Sequence, residues 1–173
     1  MDFVREIILK KKKSVQDVMS IIITVMVAFM LFYLILIQFA TGKLAIFIPI
    51  EIAAVIYGMY LAITSLNVEY EYSVINGWMD VDKIIAGKRR KNVAKIEVKN
   101  VEYFARFDDK HMGVAEDESV EKVIDATTTI DSPKVYFMIY YNNNKKICLL
   151  FEPTDEMIEN FSHYVPRSLN HTL

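Results

Sequence analysis

Two long apolar runs lie near the start of this chain, Val18 to Ala40 and Leu44 to Leu66, and short alternating segments fill most of the rest. Each run is 23 residues long; the first carries no charge and the second only Glu51. About 20 apolar residues in a helix cross the roughly 30 Å hydrocarbon core of a bilayer, so both runs predict transmembrane helices. Only Thr41-Gly42-Lys43 separates them. That link is long enough for a tight reversal alone, which puts both ends of the hairpin on one side. A cleaved signal peptide fits poorly, because its apolar core spans only ~7–15 residues and ends in a small-x-small site. Here the run ends Gln38-Phe39-Ala40, and an uncleaved anchor is expected.

After Leu66 the pattern changes to period two. Tyr70, Tyr72 and Val74 alternate with Glu69, Glu71 and Ser73, the signature of a half-buried strand. Asn76-Gly77 follows, a strong hairpin signal because both turn residues need positive φ. Pairing outward sets Val74 opposite Met79, Ser73 opposite Asp80 and Tyr72 opposite Val81, so apolar meets apolar and polar meets polar. A third strand is expected around Ala94, Ile96 and Val98, beyond a Gly87-Lys88-Arg89-Arg90 break, and a fourth at Val101, Tyr103 and Ala105. Asp108 to Glu121 reads as a polar loop with one helical turn. Further strands are expected at Val123–Ile130, Val135–Tyr141 and Lys146–Phe151, with turns at Asp131-Ser132-Pro133 and Asn142-Asn143-Asn144. Thr154 reads as the N-cap of a final helix carrying Met157, Ile158, Phe161 and Tyr164 and stopping before Pro166. Met1 to Lys13 alternates badly as a strand. Phe3, Ile7 and Ile8 fall near one helical face with lysines after them. This predicts either a short amphipathic helix on the membrane surface or a disordered basic leader.

Seven strands and a C-terminal helix is the element order of a pleckstrin-homology-like (PH-like) barrel. The whole layout, and the stretch Tyr70-Glu71-Tyr72-Ser73-Val74-Ile75-Asn76-Gly77 through Asp80-Val81-Asp82-Lys83-Ile84 in particular, resembles a family of small uncharacterised two-pass membrane proteins of Gram-positive bacteria with a C-terminal PH-like domain. The expected fold is therefore α+β: residues 1–17 a basic cytoplasmic segment, 18–66 the transmembrane hairpin (18–40 and 44–66), and 67–173 a seven-stranded PH-like β-barrel or sandwich with a C-terminal helix. The resemblance carries no catalytic motif and implies no activity.

Charge adds topology. Residues 1–17 hold five basic and three acidic side chains, the hairpin sets Lys43 against Glu51, and residues 67–173 hold 14 basic and 18 acidic. Arg5 and Lys10 to Lys13 precede the first span, Lys88 to Lys91 follow the second, and Lys43 stands alone between them. Positive flanks stay cytoplasmic, so both termini are expected there, at the cell membrane. The acidic balance of the C-terminal part excludes a nucleic-acid binder. Cys148 is the single cysteine, so no internal disulfide can form. There is no Gly-rich phosphate loop, Gly-x-Ser-x-Gly, Cys-x-x-Cys or His-Glu-x-x-His. Asp108, Asp109 and His111 are a weak metal set and Asp80-Val81-Asp82 reads as solvated surface. No enzyme, metal or cofactor is expected.

Three groups remain as binding candidates. Glu51 lies about 10 Å deep, where a carboxylate needs a partner; a hairpin symmetric about Gly42 places it level with Tyr33. It shares a helix face with the small residues Ala54, Gly58 and Ala62, a stripe that lets helices approach. The face is structural or docks another membrane protein. Lys88, Arg89, Arg90 and Lys91 form a turn that strand direction places near the inner leaflet, as a contact for anionic lipid or as a solvated turn. Phosphoinositide-binding PH domains carry basic residues in the first hairpin loop; here that loop is the tight Asn76-Gly77 turn, which has none, so specific phosphoinositide recognition is not expected. Ile75 and Trp78 flank Asn76-Gly77 on the polar face, as a protein contact or covered by the last helix. The function expected is a non-enzymatic, membrane-anchored module that docks a protein partner or anionic lipid, alone or as a homo-oligomer. The alternative is an accessory subunit of a transport or export complex, docking through the second span.

Overall fold

The computed structural model describes residues 4–42, 44–115, 117–165 and 170–171. Phe3, Lys43 and Pro166, which entered the reading above, lie outside them. The chain divides into two compact units: Lys13–Val68, and Met1–Lys12 together with Glu69–Leu173.

The first unit is a helical pair. α1 (Val15–Thr41) opens on a capping box: the Ser14 hydroxyl accepts from the Asp17 N–H, and the Asp17 carboxylate accepts from the Ser14 N–H. It ends at Gly42, whose φ of +67° suits glycine. A 3₁₀ turn (Ala45–Phe47) leads into α2 (Ile48–Ser65). Pro49 occupies the first turn of α2, where its missing N–H would have had no helical partner. Both helices are long and apolar enough to cross a membrane. Their large apolar side chains point outward, with Ile35 the one buried, the arrangement a lipid solvent favours.

The second unit holds two sheets. β1 (Val4–Lys10), β2 (Val68–Ile75), β3 (Trp78–Ile85) and β4 (Arg89–Glu97) form one, in that order. After a 3₁₀ turn come β5 (Val101–Arg106), the single-turn helix α3 (Met112–Ala115), β6 (Lys122–Asp125), β7 (Tyr136–Asn142), β8 (Lys145–Phe151), α4 (Asp155–Tyr164) and β9 (Asn170–His171). The second sheet has the order β6-β8-β7-β5-β9; β5, β7 and β8 are antiparallel neighbours, while β6 joins β8 and β9 joins β5 in parallel.

Of the expected barrel or sandwich, the described strands form two sheets and no closed barrel, and β1 and β9 add to the seven strands read from the sequence. The N-terminal segment is neither a surface helix nor a loose leader: Val4 to Lys10 pairs residue for residue with Ile75 to Glu69. Its apolar residues fall on both faces, so no period-two signal survives; the strand exists because the β2 edge supplies its hydrogen bonds. β6 is also shorter than expected, because the Asp125 carboxylate accepts from the Thr127 N–H and hydroxyl and turns the chain.

The core lies between the sheets. Tyr72, Val74, Met79, Val81 and Ile96 of one sheet and Phe104, Leu149 and Phe151 of the other are buried, as are Met157 and Phe161 of α4, and Tyr72 meets Phe151 edge-on at 6.1 Å. Phe161 meets Phe104 edge-on at 5.8 Å and Phe151 at 6.2 Å, geometries that suit ring quadrupoles. A second cluster on the far face of the five-stranded sheet includes Ala105, Phe137, Ile139, Cys148 and Leu150, with Phe107 and Val114 beside it. Burial on both faces explains why β7 and β8 read as continuous apolar runs.

Candidate membrane and partner contacts

The β domain is built around the insertion of the helices. Lys10 and Glu69 are cross-strand partners, so the chain leaves for α1 and returns from α2 at one end of one sheet. That end is fastened. The Lys12 N–H donates to the Thr128 carbonyl at 2.9 Å and Lys11 Nζ meets Asp125 at 3.3 Å; toward the other end of β1, Arg5 meets Glu156 at 3.0 Å. Burial acts to raise the Asp125 carboxyl, but hydrogen bonds from Thr127 and the charge of Lys11 outweigh it and hold the group below its usual range. Behind this contact the buried Tyr72 hydroxyl donates to the Ala126 carbonyl and accepts from the Glu152 N–H. Glu152 in turn accepts from the Thr128 N–H and hydroxyl. Burial pushes the Tyr72 phenol well above its ordinary value.

The same end of the four-stranded sheet carries the β3–β4 turn, with Ala86 and Gly87 both at positive φ. Lys88, Arg89, Arg90 and Lys91 are all exposed, but Arg89 to Lys91 belong to β4 rather than to a loop. They are not equivalent. Arg90 turns inward to the buried Glu71 and approaches Asp82 at 3.9 Å. Lys91 stands across from Lys83. Lys88, Arg89 and Lys91 form no ion pair among the described residues, so they are the available cations of the turn. Glu71 was expected on a solvated face but is only 4% exposed. A hydrogen bond shared with Glu6 and its burial raise its pKa, and the Arg90 guanidinium opposes them.

At the opposite end, Asn76 and Gly77 make the β2–β3 turn with φ of +46° and +80°. The Tyr164 ring lies so close that a Cβ on Gly77 would sit 2.8 Å from it. α4 therefore covers the turn but not its flanks. Ile75 and Trp78 remain 48% and 46% exposed, and Val4, the cross-strand partner of Ile75, is 65% exposed. With β1 in place, Asn76-Gly77 is the second strand connection of the domain. The first runs from β1 to β2, and it contains Lys11 to Lys13 and both helices. The first strand connection therefore does carry basic residues, contrary to the expectation drawn from Asn76-Gly77.

In the helical unit, Glu51 Oε1 accepts from Gln38 Nε2 at 3.3 Å, and the same amide reaches the Leu44 carbonyl at 3.0 Å. The expected partner, Tyr33, is 63% exposed. The hairpin is not symmetric about Gly42, because the 3₁₀ turn delays the start of α2 and brings Glu51 level with a later residue of α1. Ala54 and Gly58 line an open groove of about 330 Å³ against Ile23, Thr24 and Val27 of α1. A Cβ on Gly58 would meet nothing within 4 Å, so this part of the stripe is not used for close packing against α1; Ala62 is half-buried.

Little here suggests reaction chemistry. His111 Nδ1 and Asp108 Oδ1 are 2.7 Å apart, which satisfies Asp108 locally. Among the described residues no three histidine, cysteine or acidic side chains gather as a metal site. Cys148 is fully buried and burial pushes its thiol up to about 12, so it stays protonated. Gln38, Glu6 and Lys11 are the contact residues that the sequence pattern did not mark. Each acts through a partner distant along the chain or across a turn of uncertain register.

A family model described as a bacterial PH-like domain (DUF6106) matches residues 1–171. The match includes the first strand and both apolar helices, so they belong to the family's architecture along with the sheets. Comparisons with curated proteins and with solved structures give no match.

Proposed function

The chain belongs to the bacterial PH-like domain family, and on that premise we propose that it is a non-enzymatic binding module held at the inner leaflet by a two-pass hairpin. The observation that carries this reading is the position of the hairpin between two adjacent strands of one sheet. Lys10 and Glu69 are cross-strand partners, so one end of this sheet is the nearest along the chain to both spans. That end bears Lys88, Arg89 and Lys91, each of which gains about 1 kcal/mol beside anionic lipid. Arg90 contributes less, being held by Glu71. The other end offers Ile75 and Trp78 to a protein partner, since a half-exposed Trp beside an Ile favours protein contact.

Hydrogen exchange of the full chain in lipid nanodiscs tests the lipid half. Amides of residues 83–91 are expected to exchange more slowly in anionic than in zwitterionic discs, and Lys88→Glu with Arg89→Glu and Lys91→Glu to erase the difference. Equal exchange in both discs refutes the contact. A second reading, an accessory subunit of a transport or export complex, draws on the open groove at Ala54 and Gly58 beside Glu51. Affinity purification in mild detergent separates the two: a partner lost with Trp78→Ala supports docking on the sheet, and one lost with Glu51→Leu supports docking in the membrane.

A further inference from the structure

A cleft of about 530 Å³ opens in the β domain between β1, the start of β7 and the N-terminal turn of α4. Its volume falls in the range of ligand pockets, roughly 300–1,000 Å³. Ile7 and Leu9 of β1, Tyr136 and Ile158 give it an apolar lining, and Arg106 and Lys134 stand at its edge. Two features together point to one kind of occupant.

The first is the edge of β1. β1 pairs with β2 on one side, and no described strand lies on the other, so its outward main-chain groups have no ladder partner. Edge strands are commonly protected by charge, proline or bulges. β4, at the opposite edge of this sheet, has a register shift at its β3 pairing and three successive basic residues. β1 has neither proline nor bulge; it carries Arg5, Glu6 and Lys10 but exposes Val4 and Ile8 between them. Its pairing is extended only past its end, where Lys12 bonds to Thr128.

The second is charge. Arg106 is held at the cleft by a bond from its guanidinium to the Pro133 carbonyl, 2.6 Å, and neither it nor Lys134 has an ion pair among the described residues. Of the two carboxylates in the lining, Glu152 is occupied by Thr128. Asp155 lies in the first turn of α4, where the helix dipole offsets its charge. Arg106 and Lys134 thus remain the cations open to an added carboxylate, while the four formal charges of the lining sum to zero.

We propose that this cleft binds an extended peptide, which adds a strand to β1, lays an apolar side chain over Ile7 and Leu9 and sets a carboxylate against Arg106 and Lys134. Main-chain bonds along the edge supply affinity, and the cleft selects alternate side chains, the general logic of strand addition. An acyl chain fits less well, because it would desolvate Arg106, Lys134 and Asp155 without bonding them. A second copy of β1 would carry its own Lys10 to Lys13 toward the same cations.

The test uses the full chain in detergent micelles and a fluorescein-labelled heptapeptide of alternating valine and glutamate, with a valine–lysine peptide as its match. Fluorescence anisotropy is expected to show the acidic peptide binding at least about tenfold more tightly, the scale of one charge-assisted hydrogen bond. Amide exchange across residues 4–10 should slow only when it is present. Arg106→Glu with Lys134→Glu, exposed positions whose reversal leaves the core intact, should invert the preference. Equal binding of both peptides, an unchanged preference in the double variant, or protection away from β1 overturns the proposal. So does protection of residues 4–10 that rises with protein concentration alone, which would mark the edge as a self-association surface. None of these residues belongs to the basic turn, so the nanodisc experiment can fail without affecting this one.

Discussion

Gly77 shows how one residue can serve two constraints, of which only one is local. Its φ of +80° satisfies the hairpin turn, and this was legible because Asn-Gly states the requirement in two adjacent letters. Its second role, leaving room for the Tyr164 ring, was not legible, since nothing near Gly77 refers to α4. Gly77→Ala should therefore cost more than backbone strain alone, which is about 1–2 kcal/mol for a side chain at left-handed φ. Trp78, the single tryptophan, reports unfolding of this domain in the full chain. Adding Tyr164→Ala should recover the steric part of the loss and leave the backbone part. If the double variant is no more stable than Gly77→Ala, the contact with α4 has no weight.

Elements whose partners are near in sequence were readable, and those with distant partners were not. The β2–β3 and β7–β8 hairpins announce themselves through alternation and Asn-rich turns. β1 does not, because its partner lies beyond both helices and its residues Ile7-Ile8-Leu9 show no face of their own. For the same reason Glu71 looked solvated: β1 brings Glu6 to it, and β4 brings Arg90. The consequence is a pH dependence of defined sign. Glu71 titrates above the ordinary 4.5 in the folded protein, chiefly through the hydrogen bond with Glu6 and through burial. Between that value and its raised one the native state keeps a proton that the unfolded chain has released, so stability falls as pH rises through the window. Asp125, held below its usual range, acts in the opposite sense and at more acidic pH. Urea unfolding followed by Trp78 from pH 4.5 upward should show the decline, and Glu71→Gln should flatten it. An unchanged slope in Glu71→Gln would place the dependence elsewhere.

At the scale of the whole molecule, the apolar runs made the hairpin the clearest feature of the sequence, yet the same runs hid the domain's continuity. Reading the chain from left to right suggests an anchor followed by a domain. The contacts describe a domain interrupted by an anchor, since β1 contributes a sheet edge, the Lys12–Thr128 bond and the Arg5–Glu156 and Lys11–Asp125 pairs. The two descriptions predict different outcomes when the chain is cut. Residues 68–173 alone would leave the core-facing side of β2 without Ile7 and Leu9 and its edge unpaired, and should be aggregated or unfolded. Joining Lys12 to Asn67 through a short glycine–serine turn removes the helices but keeps both strands, and cross-strand partners such as Lys10 and Glu69 lie close enough for a hairpin link. That shortened chain should be soluble, with the amide dispersion of a folded β protein by NMR. A folded 68–173 fragment would mean that β1 is an accessory strand; folding of the joined chain alone would make the hairpin an insertion within the first strand connection of the domain.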